Sequence, residues 1–167
     1  MMILPKPALR ALALLLALPM AACSPQAAEQ VPEPTAAAAD ANVSAAGLEI
    51  IPVTVTTDSG THVIQTEVAA TFEEKQRGMM FRTEMGPNEG MIFPYDEPQQ
   101  LGFWMRNTVL PLDIIFIDEN RTVINIADGV PYSEESVYSD RDAIAVLELI
   151  GGRSAELGIE PGDRIDW

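Results

Sequence analysis

Two carboxyl groups sit in stretches otherwise built for burial. In Leu112–Asp113–Ile114–Ile115–Phe116–Ile117, strand alternation puts Leu112, Ile114 and Phe116 on one face and Asp113, Ile115 and Ile117 on the other. In 143–150, Glu148 shares a face with Ile144, Val146 and Ile150. An acid among aliphatic side chains needs a charged or hydrogen-bonding partner, or it must take up a proton. Cations are scarce, with 10 Lys+Arg against 25 Asp+Glu. Arg77 and Arg82, flanking the end of an expected short helix, are the best placed to fork onto Asp113 or Glu148. Asn107 and Thr108 precede Asp113 and can join that network, with Trp104 as an apolar wall. Arg77, Arg82, Trp104, Asn107, Thr108, Asp113 and Glu148 therefore make up the candidate ligand-binding site.

These residues suit three chemistries. The plainest is a structural ion pair that fixes the helix against a sheet. A pocket for a small polar ligand, such as a sugar ring stacked on Trp104, would use the same groups. Glycoside cleavage asks more, since Asp113 and Glu148 would have to stand ~5–10 Å apart across an open groove. Separately, Met79, Met80, Met85, Met91 and Met105 offer thioethers, which select Cu(I). Met also fills irregular core gaps, and Met91 and Met105 lie in apolar stretches.

Other classes fall away. A single Cys allows no internal disulfide and no Cys-based zinc site. A single His, His62, allows no multi-His metal centre and makes a Ser–His–Asp triad improbable. There is no Gly-rich phosphate loop. Asp128, Glu134, Glu135, Asp140 and Asp142 could offer oxygens to Ca²⁺, but without EF-hand spacing they read as a solvated loop. The acid excess argues against a nucleic-acid partner. The balance favours a binding or accessory module without a cofactor over an enzyme.

The elements that must hold these groups are mostly strands. Val53–Thr56 and Thr61–Ala69 flank a turn at Asp58–Ser59–Gly60 and read as a hairpin. Thr71–Phe72–Glu73–Glu74 has capping-box spacing, so a short helix should follow Thr71 and close near Gly78. Gly90–Phe93, Leu101–Asn107, Leu112–Asp118, Thr122–Ala127, Ala143–Ile150 and Arg164–Trp167 read as strands, with 128–142 as a long loop. Ser154–Leu157 reads as a helical turn closed by Gly158. Frequent turns between short strands imply a mainly β fold, a compact sandwich or small barrel with one or two short helices.

The N-terminal third has a different character. Residues 1–22 carry Lys6 and Arg10 and then the apolar run Ala11–Leu18, which is short for ~30 Å of hydrocarbon and reads as an export signal. Met20–Ala21–Ala22–Cys23 resembles the bacterial lipobox, so Cys23 is the expected lipidation site and the membrane the expected partner. Ser24 points by the same sorting rules to the periplasmic face of the outer membrane; a soluble periplasmic protein is the alternative. Without residues 1–22 the chain keeps eight bases against 25 acids, a net charge of −17. Residues 23–47, rich in Ala and Pro, read as a disordered linker with a reach of about 25–30 Å. The folded domain is expected over 48–167.

Six segments occur in order: Lys75–Gln76–Arg77–Gly78–Met79–Met80, Gly90–Met91–Ile92–Phe93, Phe103–Trp104–Met105–Arg106–Asn107–Thr108, Pro111–Leu112–Asp113–Ile114–Ile115–Phe116, Val146–Leu147–Glu148–Leu149 and Gly158–Ile159–Glu160–Pro161–Gly162–Asp163. Together they resemble the domain of unknown function 192 family across nearly all of 50–167. Met79 stands where that family usually has Leu. The resemblance implies a compact, mostly β fold and no established activity.

Overall fold

The computed structural model describes residues 42–167, so the expected signal segment, Cys23 and most of the linker lie outside the described residues. Alternating Val53, Val55 and Ile64 turn inward from a hairpin of β1 (Ile50–Thr57) and β2 (Gly60–Val68), paired from Ile50–Glu67 to Thr57–Gly60. Helix α1 (Phe72–Arg77) then carries the chain across to β3 (Glu89–Gln99), which runs parallel to β2. The remaining elements are β4 (Gly102–Phe103), β5 (Leu112–Ile117), β6 (Val123–Gly129), β7 (Val137–Tyr138), β8 (Ala143–Ile150), α2 (Arg153–Leu157) and β9 (Arg164–Asp166).

The large sheet has the order β6-β5-β8-β3-β2-β1-β9, and β4 and β7 form a small second sheet. The two edges of the large sheet meet. Thr122 bridges Arg164, Val123 N donates to Asp163 O at 2.8 Å, and Ile165 N donates to Arg121 O at 2.8 Å. The sheet is thus curled into a barrel-like form whose two ends touch at one corner, beside the first residue of β6.

Two apolar clusters follow from strand alternation. The inner one takes side chains from every strand of the barrel, including Val55, Ile64, Ile92, Ile115, Val123, Leu147 and Ile165. The outer one lies on the β3, β5, β6 and β8 side and contains Met79, Met91, Phe93, Met105, Leu112, Ile114, Phe116 and Val146. β5 serves both, and all six of its residues are buried. Gly129 is confined by this packing, because a Cβ there would lie 2.8 Å from Met105 Sδ and 3.0 Å from Leu112 O.

The mainly β, barrel-like reading and the capping box of α1 agree with the structure. Four boundaries differ. The strand expected over Gly90–Phe93 continues through Asp96–Glu97–Pro98 as β3, to Gln99. The strand expected over Leu101–Asn107 ends at Phe103, because β7 pairs with only Gly102 and Phe103; further on, Asn107 adopts φ 58° and Thr108 N donates to Met105 O at 3.0 Å, turning the chain. The 128–142 loop contains β7, which pairs with β4. Residues 42–47 form a turn tied to the domain by the Val43–Glu49 bridge and by Ile50 N donating to Asn42 O at 2.7 Å.

Candidate functional site

Glu148 lies mid-β8, opposite Met91 of β3 on one side and Ile114 of β5 on the other. It is 4% exposed, and its Oε2 is buried with no hydrogen-bond partner among the described residues. Burial among aliphatic and sulfur-bearing neighbours pushes its carboxyl up to about 8. At neutral pH it is therefore an uncharged acid, able both to donate and to accept a hydrogen bond.

Helix α1 covers this acid. Glu74 N donates to Thr71 Oγ1 at 3.2 Å, and Thr71 N and Ala70 N donate to Glu74 Oε2 at 2.8 and 2.9 Å. The Thr71 amide is the chief cause that lowers the Glu74 carboxyl pKa. The helix closes at Gly78, at φ 43°, where a Cβ would meet the Phe93 ring at 3.2 Å. Phe93 and Phe103 meet edge to face at 5.0 Å between centroids, and Phe103 and Phe116 at 6.2 Å. These contacts fix Phe103, and with it the start of the 104–108 turn, against the end of α1.

A cavity of about 40 Å³ remains over Glu148, lined also by Lys75, Gln76, Arg77, Phe103, Trp104 and Thr108. A larger depression of about 290 Å³, sharing Lys75, Gln76, Phe103 and Trp104, is walled further by Phe72, Tyr95 and Gly102. Lys75 Nζ lies 4.3 Å from the centre of the Tyr95 ring. Burial, and then the nearby Glu148, raise the Tyr95 phenol pKa. Trp104 is 47% exposed.

Of the residues chosen from sequence, Arg77, Trp104, Thr108 and Glu148 therefore line one cleft. Asp113, Arg82 and Asn107 do not, and the expected guanidinium clamp on an acid is absent among the described residues. Asp113 pairs with Leu149 while Glu148 pairs with Ile114, which places the two acids on opposite faces of the sheet. Asp113 Oδ1 accepts from Gly152 N at 2.8 Å, and Oδ2 accepts from Ser154 N at 2.7 Å and Ser154 Oγ at 2.5 Å. Asp113 thus caps the start of α2 from another strand, and amides satisfy it in place of Arg. Glycoside cleavage by Asp113 and Glu148 has no shared groove to occur in.

Arg82 instead pairs with Glu67 at 2.7 Å, beside a separate cavity that includes Ser44, Gln65 and Glu89. Asn107 is exposed; its carbonyl accepts from Phe81 N at 2.9 Å. Met79, Met91 and Met105 are buried in the outer cluster, with Met85 packed against it, as gap-filling residues are. Sequence reasoning missed Lys75, Gln76, Tyr95 and Phe103. The first two were legible as the same face of the short helix, next to Arg77; Tyr95 depends on the course of β3, which runs past Phe93 to Gln99.

Fold and cleft define the class: a small mixed β-barrel with an uncharged acid at the bottom of a helix-covered cleft. The chain belongs to the domain of unknown function 192 family (DUF192, "Uncharacterized ACR"), whose model matches residues 53–167. A comparison with curated proteins finds no match. The chain is similar to a crystal structure of a protein of unknown function from Novosphingobium aromaticivorans DSM 12444, at 52% identity and TM-score 0.74, covering 78% of this chain and 94% of that one. It is also similar to a protein from Sinorhizobium meliloti 1021 proposed as a transcription regulator, at 37% identity and TM-score 0.69, covering 71% of this chain and 94% of that one.

Proposed function

We propose that the chain is a lipoprotein held through Cys23 at the periplasmic face of the outer membrane, and that its barrel is a non-catalytic module binding a small polar ligand in the cleft over Glu148. One observation carries the binding reading: Glu148 lines a cavity, and its buried Oε2 has no hydrogen-bond partner among the described residues. A buried polar atom left unpaired costs roughly 1–3 kcal/mol, a cost that a ligand atom in the cleft would offset. The cleft lining holds no second carboxyl to divide acid and base roles with Glu148, which favours binding over hydrolysis. The net charge favours a small ligand over nucleic acid.

Trp104 supplies the readout. Intrinsic fluorescence of the full chain in detergent should respond to members of a panel of sugars, amino acids and small organic acids. The response should disappear in Trp104→Phe and weaken in Glu148→Leu. A ligand from that panel that binds with unchanged affinity to Glu148→Leu would overturn the assignment of the cleft.

A further inference from the structure

We propose that the ligand class is an acidic saccharide: a sugar ring on Trp104 and Phe103, its carboxylate toward Lys75 and Arg77, and a hydroxyl against Glu148. This inference rests on the binding reading of the cleft and adds the chemistry of what enters it.

The charge pattern is the first support. The described residues contain five ion pairs, made by Arg82, Arg106, Arg141, Arg153 and Arg164. Arg121 is spent on the Trp167 ring, 3.2 Å from its centre. Lys75, which rests 4.3 Å from the centre of the Tyr95 ring, and Arg77 have no acid within ion-pair distance among the described residues, in a sequence with 25 Asp+Glu. Both line the cavity over Glu148. Cations left unpaired on an acidic protein and gathered at one mouth suit an anionic ligand and repel an amine.

The acid below them supports the rest. A neutral carboxyl can donate to and accept from one hydroxyl, which is itself donor and acceptor. A purely apolar ligand would leave Oε2 unpaired, and a ligand carboxylate placed on Glu148 would meet repulsion once Glu148 ionised. The anion therefore belongs at the rim and the hydroxyl at the floor. Between them, a half-exposed Trp104, with the Arg106 guanidinium 5.6 Å from its ring centre, and a Phe103 held by Phe93 and Phe116 offer flat apolar surface that a sugar ring's C–H face packs on. The depression of about 290 Å³ beside Trp104 sits at the small end of ligand sites and suits one ring, while the cavity of about 40 Å³ that Arg77 and Glu148 line admits only a substituent of that ring. A nucleotide also joins ring to anion, but no Gly-rich loop is present to cradle its phosphate with amides.

The ionisable groups facing Glu148 are Lys75 and Arg77 from α1 and Tyr95 from β3, while β5 presents Ile114. Tyr95 stays an uncharged phenol over the range in which Glu148 titrates, because its own pKa is raised. Loss of the Glu148 proton should therefore dominate any weakening of acidic-sugar binding between about pH 6 and about pH 9.

The test titrates the full chain in detergent with D-glucuronate, N-acetylmuramate, D-glucose, D-glucosamine and uridine monophosphate, by calorimetry and Trp104 fluorescence. At about pH 6 an acidic sugar should bind at least about tenfold more tightly than glucose. The preference should shrink to about twofold in Lys75→Ala/Arg77→Ala, with an unchanged circular-dichroism spectrum showing that the half-buried Lys75 and the exposed Arg77 are not needed for the fold. The acidic sugar should bind about tenfold more weakly at about pH 9, a change absent in Glu148→Gln. Equal binding of glucose, or tighter binding of glucosamine or the nucleotide, overturns the acidic-saccharide class and leaves the cleft standing as a binding site. Failure of all the sugars overturns this inference too, while the wider fluorescence panel decides the cleft by itself.

Discussion

Replacing Glu148 with Gln should stabilise the protein increasingly as pH rises. Glu148 has an ordinary carboxyl pKa of 4.5 when the chain is unfolded and about 8 when folded, because burial opposes its charged form. Between those values the folded state holds a proton that the unfolded chain has released. Stability from this group is therefore complete below about pH 4.5 and is lost as pH rises toward about 8, at ~1.4 kcal/mol per pH unit. That amounts to ~3 kcal/mol by pH 7 and ~4–5 kcal/mol at pH 8 and above. Gln has nothing to ionise, and its amide meets the same unpaired setting at every pH, which adds only a constant offset. Urea unfolding of both proteins at about pH 4, pH 6 and pH 8 measures the difference. The gap should widen steadily in favour of Glu148→Gln across that range. Parallel stability curves would show that Glu148 is ionised or paired in solution, and the argument for an uncharged acid in the cleft would end there.

Asp113→Ala should cost ~3 kcal/mol, because Gly152 N, Ser154 N and Ser154 Oγ lose a shared acceptor at the start of α2. Asp113→Asn, which keeps one acceptor oxygen, should cost less; a loss below ~0.5 kcal/mol for the Ala variant in urea unfolding would contradict this capping role. Cys23→Ala should release the protein from the membrane fraction into the soluble periplasm, and continued sedimentation with outer-membrane vesicles would refute the anchor.

Local chemistry was legible and cross-strand geometry was not. Thr71 and Glu74, three residues apart, announced α1, and the reciprocal bonds are present. Period-two patterns placed Asp113 with Ile115 and Ile117, and Glu148 with Val146, on the faces they occupy. What alternation does not give is the register between strands. Pairing Asp113 with Leu149 sets Glu148 opposite Ile114, and that single offset separates two acids that looked like neighbours. The partner of Asp113 was hidden for a different reason. Backbone amides of α2 satisfy it, and amides have no residue type, so the scarce Arg residues drew the inference instead. The Phe103–Trp104–Met105 run read as strand because apolar residues say nothing of the left-handed Asn107 that ends it.

The earliest and latest strands of the barrel lie side by side. β9 pairs with β1, and backbone bonds to Arg121 and Val123 bring the two ends of the sheet into contact. The strand that covers the outer rim of β1 over Thr54–Thr56 therefore lies more than a hundred residues further along the chain. A bare strand rim is adhesive. A chain truncated before β9 would leave the outer rim of β1 bare, so the last three-residue strand protects the first one from joining another molecule.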